Sequence, residues 1–287
     1  MFAWTMKGKL KKMLSSLSKN QIEIDILSVS KDLSSCSSKL GGLPACPSDF
    51  VWPTYQVTKK GETKELPLAF IAQFNLKELS KYDTEGLLPK KGILSFFYEL
   101  ESMKWGLSPE DKGCAKVFYF EDESLLQPCS LPENLGKDFC IPEMPLAFTS
   151  KKSVPSWEEY DLYDSSVEYE NDFYNEVKVD FLGCGEEKKS CKLLGYADIL
   201  QDAMPRECEL VSRGFDLDNG PARLTEEEKQ SVAAACKDWV LLFQTGTISS
   251  DDYELMFGDS GKIYFYIKKE DLSAKKFDNV WLIMQCY

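Results

Sequence analysis

The sequence predicts an α+β fold, mostly antiparallel sheet with peripheral helices. Three observations carry that prediction. Short apolar runs rich in aromatic and β-branched residues recur along the chain, bounded by Gly, Pro and polar turns. Apolar residues at helical spacing are confined to a few stretches, at residues 1–20, 158–187 and from Thr225 onward. The apolar runs also come in two similar series, one in each half, which predicts the internal duplication of a β-rich unit.

Each element follows in turn. Met6, Leu10, Met13, Leu14 and Leu17 recur at helical spacing among five lysines, so the chain opens with a basic amphipathic helix. That helix either packs its stripe on the domain or lies on a membrane surface. Packing is preferred, because the stripe is short and the remainder is acidic. Residues 39–53, KLGGLPACPSDFVWP, read as a stiff irregular loop: Gly41 and Gly42 permit positive φ, three prolines fix φ, and Trp52 is an apolar anchor. PLAFIAQF, GILSFFYEL and Ala115–Phe120 read as strands, with NLKELSKY as a helical turn between the first two. Residues 121–156 are proline-punctuated loops with one short strand near Leu146–Thr149. From Tyr160 to Phe181 the apolar positions stand 3, 4, 7, 3 and 4 apart, a helix seam broken near Ser165–Ser166. Thr225 and Glu228 form a capping box that opens another helix. WVLLFQTG, GKIYFYIKK and VWLIMQCY are the final strands, with EDLSAKKF as a helical turn.

The two series align as Gly42 with Gly195, Gln73 with Gln244, and Gly92 with Gly261. The reading divides the chain into a helix and lead-in (1–30), a first β-rich repeat (31–156), an acidic helical insert (157–190) and a second repeat (191–287), all in one unit. A glutamine near the end of a buried strand must find partners for its amide, and here it occurs twice. Gln73 and Gln244 are therefore candidates for a ligand groove between the repeats.

Composition narrows the function. The 287 residues hold 34 Lys and Arg against 47 Asp and Glu, a net charge of −13, and no histidine. A Ser-His-Asp or Cys-His nucleophile system is thereby excluded, as are imidazole metal sites. The GDSG at Gly258–Gly261 is a tight turn before a strand, since protease chemistry would need a histidine base. Asp251, Asp252, Glu254 and Asp259 lack the alternation of a calcium loop and read as a solvated turn. GCGEE at Gly183–Glu187 lacks a third glycine and puts acids where a phosphate would sit, so it reads as a helix C-terminal turn. Carboxylate pairs for glycoside hydrolysis abound in any acidic chain, and the sequence selects none. No catalytic residue, cofactor or metal is expected. Arginine is confined to Arg206, Arg213 and Arg223, which argues against nucleic acid as a partner. The ten cysteines contain no C-x-x-C pair, and no secretory signal or run of 18 apolar residues occurs, so reduced thiols and a cytoplasmic location are expected.

The most distinctive stretch is Glu158–Glu187, with eleven acids and one lysine. Glu158, Glu159, Asp161, Asp164, Glu168, Glu170 and Asp172, interleaved with tyrosines, are candidates for docking a basic protein. A helix with core-facing aromatics and a hydrated acidic back accounts for the same pattern.

GGLPACPSDFVWP, LPLAFIAQFNL, LPKKGILSFFYE, LLGYADILQ, LLFQ, FGDSGKIYFYIKKEDL and FDNVW resemble, in that order, the signature segments of the YwqG-like family of bacterial proteins with a domain of unknown function. The resemblance runs from about Ser38 to Tyr287. It implies an antiparallel-rich α+β fold of cytosolic origin with no established activity, and among its matching positions Trp52, Gln73, Gln244 and Asp259 are candidates for lining a groove between the repeats. Members of that family often occur near polymorphic toxin and immunity genes, which by association implies binding. The expected function is thus non-enzymatic protein binding, as in a toxin-neutralising immunity factor. The alternative is a small-ligand-binding protein or carboxylate-dependent enzyme with its pocket between the repeats.

Overall fold

Backbone groups in segments too short for helices must pair with neighbours, and here ten strands pair into one antiparallel sheet. The computed structural model describes residues 2–27, 33–59, 61–183, 191–250 and 252–287. The sheet strands are β1 (Lys19–Ile26), β2 (Lys39–Leu40), β3 (Ala69–Asn75), β4 (Ile93–Tyr98), β5 (Ala115–Phe120), β6 (Met144–Ser153), β7 (Lys192–Leu194), β8 (Trp239–Thr245), β9 (Lys262–Lys268) and β10 (Trp281–Gln285). Their spatial order is β10-β9-β8-β7-β1-β6-β2-β3-β4-β5. Around them lie α1 (Phe2–Leu17), α2 (Leu76–Leu79), α3 (Asn171–Leu182), α4 (Met204–Ser212), α5 (Glu226–Cys236) and α6 (Lys269–Ser273). The fold is α+β, as the sequence predicts.

The sheet bends over at its middle, so its two wings face each other. Phe74 of β3 meets Phe243 of β8 at 5.1 Å between ring centroids, and Phe96 of β4 lies 4.9 Å from Phe243 and 5.1 Å from Phe265 of β9. These rings are the centre of the largest buried cluster, which draws on both wings. Aromatic pairs at such distances add about 1 kcal/mol each to the burial of their area. The outer ends meet as well: Met284 N donates to Trp105 O at 2.9 Å, and Trp281 Nε1 donates to Gly106 O at 2.8 Å.

The wings correspond in detail. In β3 the register against β4 shifts between Phe70 and Ala72; in β8 the register against β9 shifts between Leu241 and Phe243. Gln73 and Gln244 follow these bulges at the same offset. Lys39 pairs with Gln73, and Lys192 pairs with Gln244. After each lysine the chain turns with two positive φ values, +59° and +72° at Gly41 and Gly42, +60° and +72° at Leu194 and Gly195. A Cβ on Gly41 would stand 2.3 Å from the Pro142 carbonyl oxygen, so that position demands glycine on steric grounds too.

Several elements differ from the sequence reading. Residues 1–30 are more than a helix and lead-in, because β1 is a central strand paired with β6 over its whole length and with β7. KNQIEIDI conceals this by mixing charges with its isoleucines; Ile22 and Ile24 are nevertheless buried. The short strand expected near Leu146–Thr149 extends to ten residues as β6. The seam from Tyr160 to Phe181 is a 3-10 turn at Tyr160–Leu162, an irregular stretch, and then α3. The helix α4 and a polar hairpin (Thr54–Lys59 with Glu62–Pro67) were not expected from the pattern. The capping box of α5 forms as read: Glu228 N donates to Thr225 Oγ1 at 3.2 Å, and Thr225 N donates to Glu228 Oε2 at 2.8 Å. GDSG closes a turn in which Gly261 N donates to Phe257 O at 2.8 Å. In the GCGEE stretch, Gly183 ends α3 at φ +75°, whereas Cys184–Glu187 lie outside the described residues. The nine described cysteines are free thiols, six of them buried.

Candidate functional site

From Glu158 to Asp172, across the link that follows β6 and into the first turn of α3, the chain carries seven acids and no base. Its aromatic residues decide how it folds. Tyr160 stacks on Tyr174 at 5.0 Å, and Tyr169 packs against Tyr160 at 5.7 Å. Their polar ends are used as well: Tyr169 N donates to the Tyr160 hydroxyl at 3.0 Å, Tyr174 Oη donates to Pro155 O at 2.9 Å, and Trp157 Nε1 donates to Tyr169 O at 2.7 Å. Leu10, Met13 and Leu14 of α1 complete this cluster, so the basic helix packs its stripe here. The tyrosines are therefore core, and what the segment presents to solvent is carboxylate.

Glu158, Asp161, Glu168, Glu170 and Asp172 are exposed, and none makes an ion pair among the described residues. Asp164 is half-buried; it accepts from Ser166 N at 3.0 Å, and the side-chain and backbone bonds from Ser166 hold its carboxyl below the usual range. Further along α3 the charge is neutralised, because Asp180 takes Lys11 at 2.8 Å and Lys7 at 3.1 Å. Uncompensated negative charge is thus concentrated at the start of the segment.

Glu159 is the exception. It is 1% exposed and cannot meet a partner, in contrast to its inclusion among the docking candidates. Burial pushes its carboxyl up to about 7, against the attraction of Lys19, and its Oε1 has no hydrogen-bond partner. Burial likewise lowers the Lys19 amine, to about 8.

A groove of about 560 Å³ separates the 3-10 turn from α5. Asp161 and Tyr163 line one side, and Arg206, Lys229 and Lys237 line the other. Lys229 is held by Glu226 at 2.6 Å, and Lys237 Nζ donates to Tyr163 O at 3.4 Å.

The ligand-groove candidates are placed differently. Gln73 and Gln244 are fully buried, each next to a phenylalanine that faces the shared core. Side chains alternate along a strand, so the two amides point away from the core on opposite sides of the molecule. Gln73 Oε1 accepts from Ala45 N at 2.9 Å, and its Nε2 donates to Ser35 O and Ser37 O at 2.7 and 2.8 Å. All of its partners are nearby backbone. Gln244 Oε1 accepts from Asp198 N at 3.0 Å, and its Nε2 donates to Asp198 Oδ2 at 2.8 Å. Trp52 lies in an aromatic cluster with Phe50 and Phe97, its Nε1 donating to Leu68 O at 2.8 Å. Asp259 is exposed in the turn before β9. Of the acids read as a solvated turn, Asp252 and Glu254 are exposed too, and Asp251 lies outside the described residues.

Sequence reasoning missed the charged cluster at Asp198. Lys192 Nζ lies 2.7 Å from Asp198 Oδ1, and Lys262 Nζ lies 3.8 Å from Oδ2. Burial acts to raise this carboxyl, but Lys192, Lys262 and Gln244 together hold it below the usual range. The signal was present in LLGYADILQ: Asp198 follows Lys192 by six residues, as Ala45 follows Lys39. Lys19 and Tyr196 carried no comparable signal.

The family model for DUF1963, a domain of unknown function, matches residues 38–286. The chain belongs to the DUF1963 family. No curated protein matches this DUF1963 chain. The match takes in every strand of the sheet except β1, together with the acidic segment and the Asp198 cluster. α1 and β1, including Lys19, precede the matched DUF1963 region. Among the described residues no helix is long and apolar enough to cross a membrane, and no three His, Cys, Asp or Glu side chains are grouped as a metal site.

Proposed function

We propose that this DUF1963 chain is a non-enzymatic cytoplasmic binding protein that docks a basic region of a partner protein on its acidic segment. The observation that carries the reading is the set of five exposed carboxylates at Glu158, Asp161, Glu168, Glu170 and Asp172, unpaired among the described residues and fixed to a rigid aromatic base. Unpaired surface charge of one sign accelerates encounter with an opposite surface and disfavours like-charged partners. The resemblance to YwqG-like members adds the further expectation of a toxin-neutralising role, and we read the two corresponding wings as a duplicated unit. The alternative, a pocket at Gln73 and Gln244, has less support: the amides face opposite ways, and the partners of Gln73 are all backbone.

The test is capture of partners from lysate at 50 mM and 500 mM salt. A basic protein retained at low salt and released at high salt is expected. Reversal of Glu168, Glu170 and Asp172 to lysine should weaken that partner's binding on the order of 100-fold, since each rim charge acts mainly on the association rate. Unchanged affinity in the triple variant refutes the docking surface.

A further inference from the structure

Lys19 opens β1 and is half-buried. Its ammonium nitrogen stands 3.9 Å from the centroid of the Tyr196 ring and 5.1 Å from that of Tyr163. The two rings meet edge to face at 5.3 Å, and Tyr196 is pinned by its hydroxyl, which donates to Leu17 O at 2.7 Å. Among the described residues the amine makes no hydrogen bond or ion pair of its own. The charged groups that face it are Glu159 from the acidic segment, Glu85 from the loop after α2, and Lys269 of α6. Tyrosine faces favour a cation. Burial acts against it, Lys269 does the same, and the amine comes down to about 8 despite the two carboxylates. This is a different environment from that of the exposed lysines Lys9 and Lys12 on α1.

We propose that Lys19 is a covalent modification site, an amine that takes an acyl group from an activated donor such as an acyl phosphate. Three features on the page single it out. Among the described residues the amine gives up no hydrogen bond or ion pair to react. The two tyrosine faces offer an apolar wall for an acyl chain. An amine that is partly neutral near physiological pH is a nucleophile where an ordinary lysine is a cation. In the reaction, the neutral nitrogen attacks the acyl carbon and a C–N bond forms. The C–O bond to phosphate breaks, and the amine's proton leaves with the phosphate as hydrogen phosphate. No oxidant or metal enters the balance. The product is a neutral amide, so Glu159 loses the cation that faces it. The inference does not depend on the docking role of the acidic segment.

The experiment incubates the full chain with acetyl phosphate between pH 6.5 and 9.5 and follows acetylation of each lysine by peptide mass spectrometry. At pH 7.5 Lys19 is expected to react on the order of ten-fold faster than Lys9 or Lys12, the larger neutral fraction being partly offset by lower basicity. Its rate should level off above about 8, while theirs continue to climb. Glu159→Gln removes a carboxylate that favours the ammonium and should bring the levelling to lower pH. Unfolding the wild-type chain in urea should erase the preference, and this arm stands even where the variant fails to fold. Equal rates for Lys19, Lys9 and Lys12 in the folded chain, or a preference that survives urea, overturns the proposal.

Discussion

Gln73 in the first wing and Gln244 in the second follow matching bulges and face matching lysines, yet the first satisfies its amide on three backbone groups and the second on a carboxylate. One substitution accounts for the difference. The residue six beyond the lysine is Ala45 in the first wing and Asp198 in the second. In both, its backbone N–H donates to the glutamine oxygen. Where it is alanine, the amide nitrogen turns to the loop carbonyls of Ser35 and Ser37. Where it is aspartate, the amide nitrogen becomes one of several donors around a buried anion. The lysines diverge accordingly: Lys39 meets Glu143, which remains partly hydrated at 32% exposure, whereas Lys192 meets Asp198 at 17%. The same backbone frame thus supports a neutral lock in one wing and a charged one in the other.

The lysine pair should show the largest difference. Lys192→Met strips a buried carboxylate of its closest cation and is expected to cost about 4 kcal/mol. Lys39→Met leaves Glu143 access to water and should cost about 1 kcal/mol. Urea unfolding monitored by tryptophan fluorescence measures both, and equal losses would break the comparison. The glutamines come next. Gln73→Leu orphans a buried N–H and two carbonyls, for about 3 kcal/mol, while Gln244→Leu orphans one N–H and leaves Asp198 its lysines, for about 2 kcal/mol. A larger loss at Gln244 would mean that the charged lock depends on the amide more than on its cations.

The smallest expected effect concerns pH. Glu159 has its carboxyl raised by burial from 4.5 to about 7, so the folded state holds its proton more tightly than the unfolded one. The stability this supplies is complete below about 4.5 and is lost as pH rises through about 7. Lys19 is lowered from 10.5 to about 8, so its cost is present below about 8 and fades as pH rises toward 10.5. Together they place a shallow stability minimum between about 7 and 8. Glu159→Gln should therefore melt higher relative to wild type at pH 8 than at pH 5, by about 2–4 °C in a chain of this size. A difference that does not change with pH would remove the buried carboxylate from the account.

Much of the sheet was legible because its strands are continuous apolar runs, and neither water nor a helix accommodates those well: β3, β4, β5, β8, β9 and β10 all lie where the runs predict them. The strands that escaped, β1 and most of β6, mix charges with apolar residues. Long side chains such as Lys151 and Glu23 pair across the strands at 2.9 Å and look, in sequence, like surface. The helix seam was legible as a spacing of aromatics, but their hydrogen bonds to Pro155 and between Tyr160 and Tyr169 bend the segment into a turn and a shorter helix. Among the docking candidates, Glu159 was indistinguishable from its neighbours by type. Only its burial separates it.

The sequence by itself determined the α+β class, the positions of the principal strands along the chain, the capped helix at Thr225, the glycine turn at Gly41 and the concentration of acid after β6. These are local matters, decided by side-chain period, backbone freedom and charge count. The tertiary structure alone decided that the two glutamines face apart, that Asp198 gathers Lys192 and Lys262, and that Lys19 meets Tyr163, Tyr196 and Glu159. The Lys19 contacts join residues 140 or more positions apart, and nothing in local propensity encodes which distant group will share a buried site.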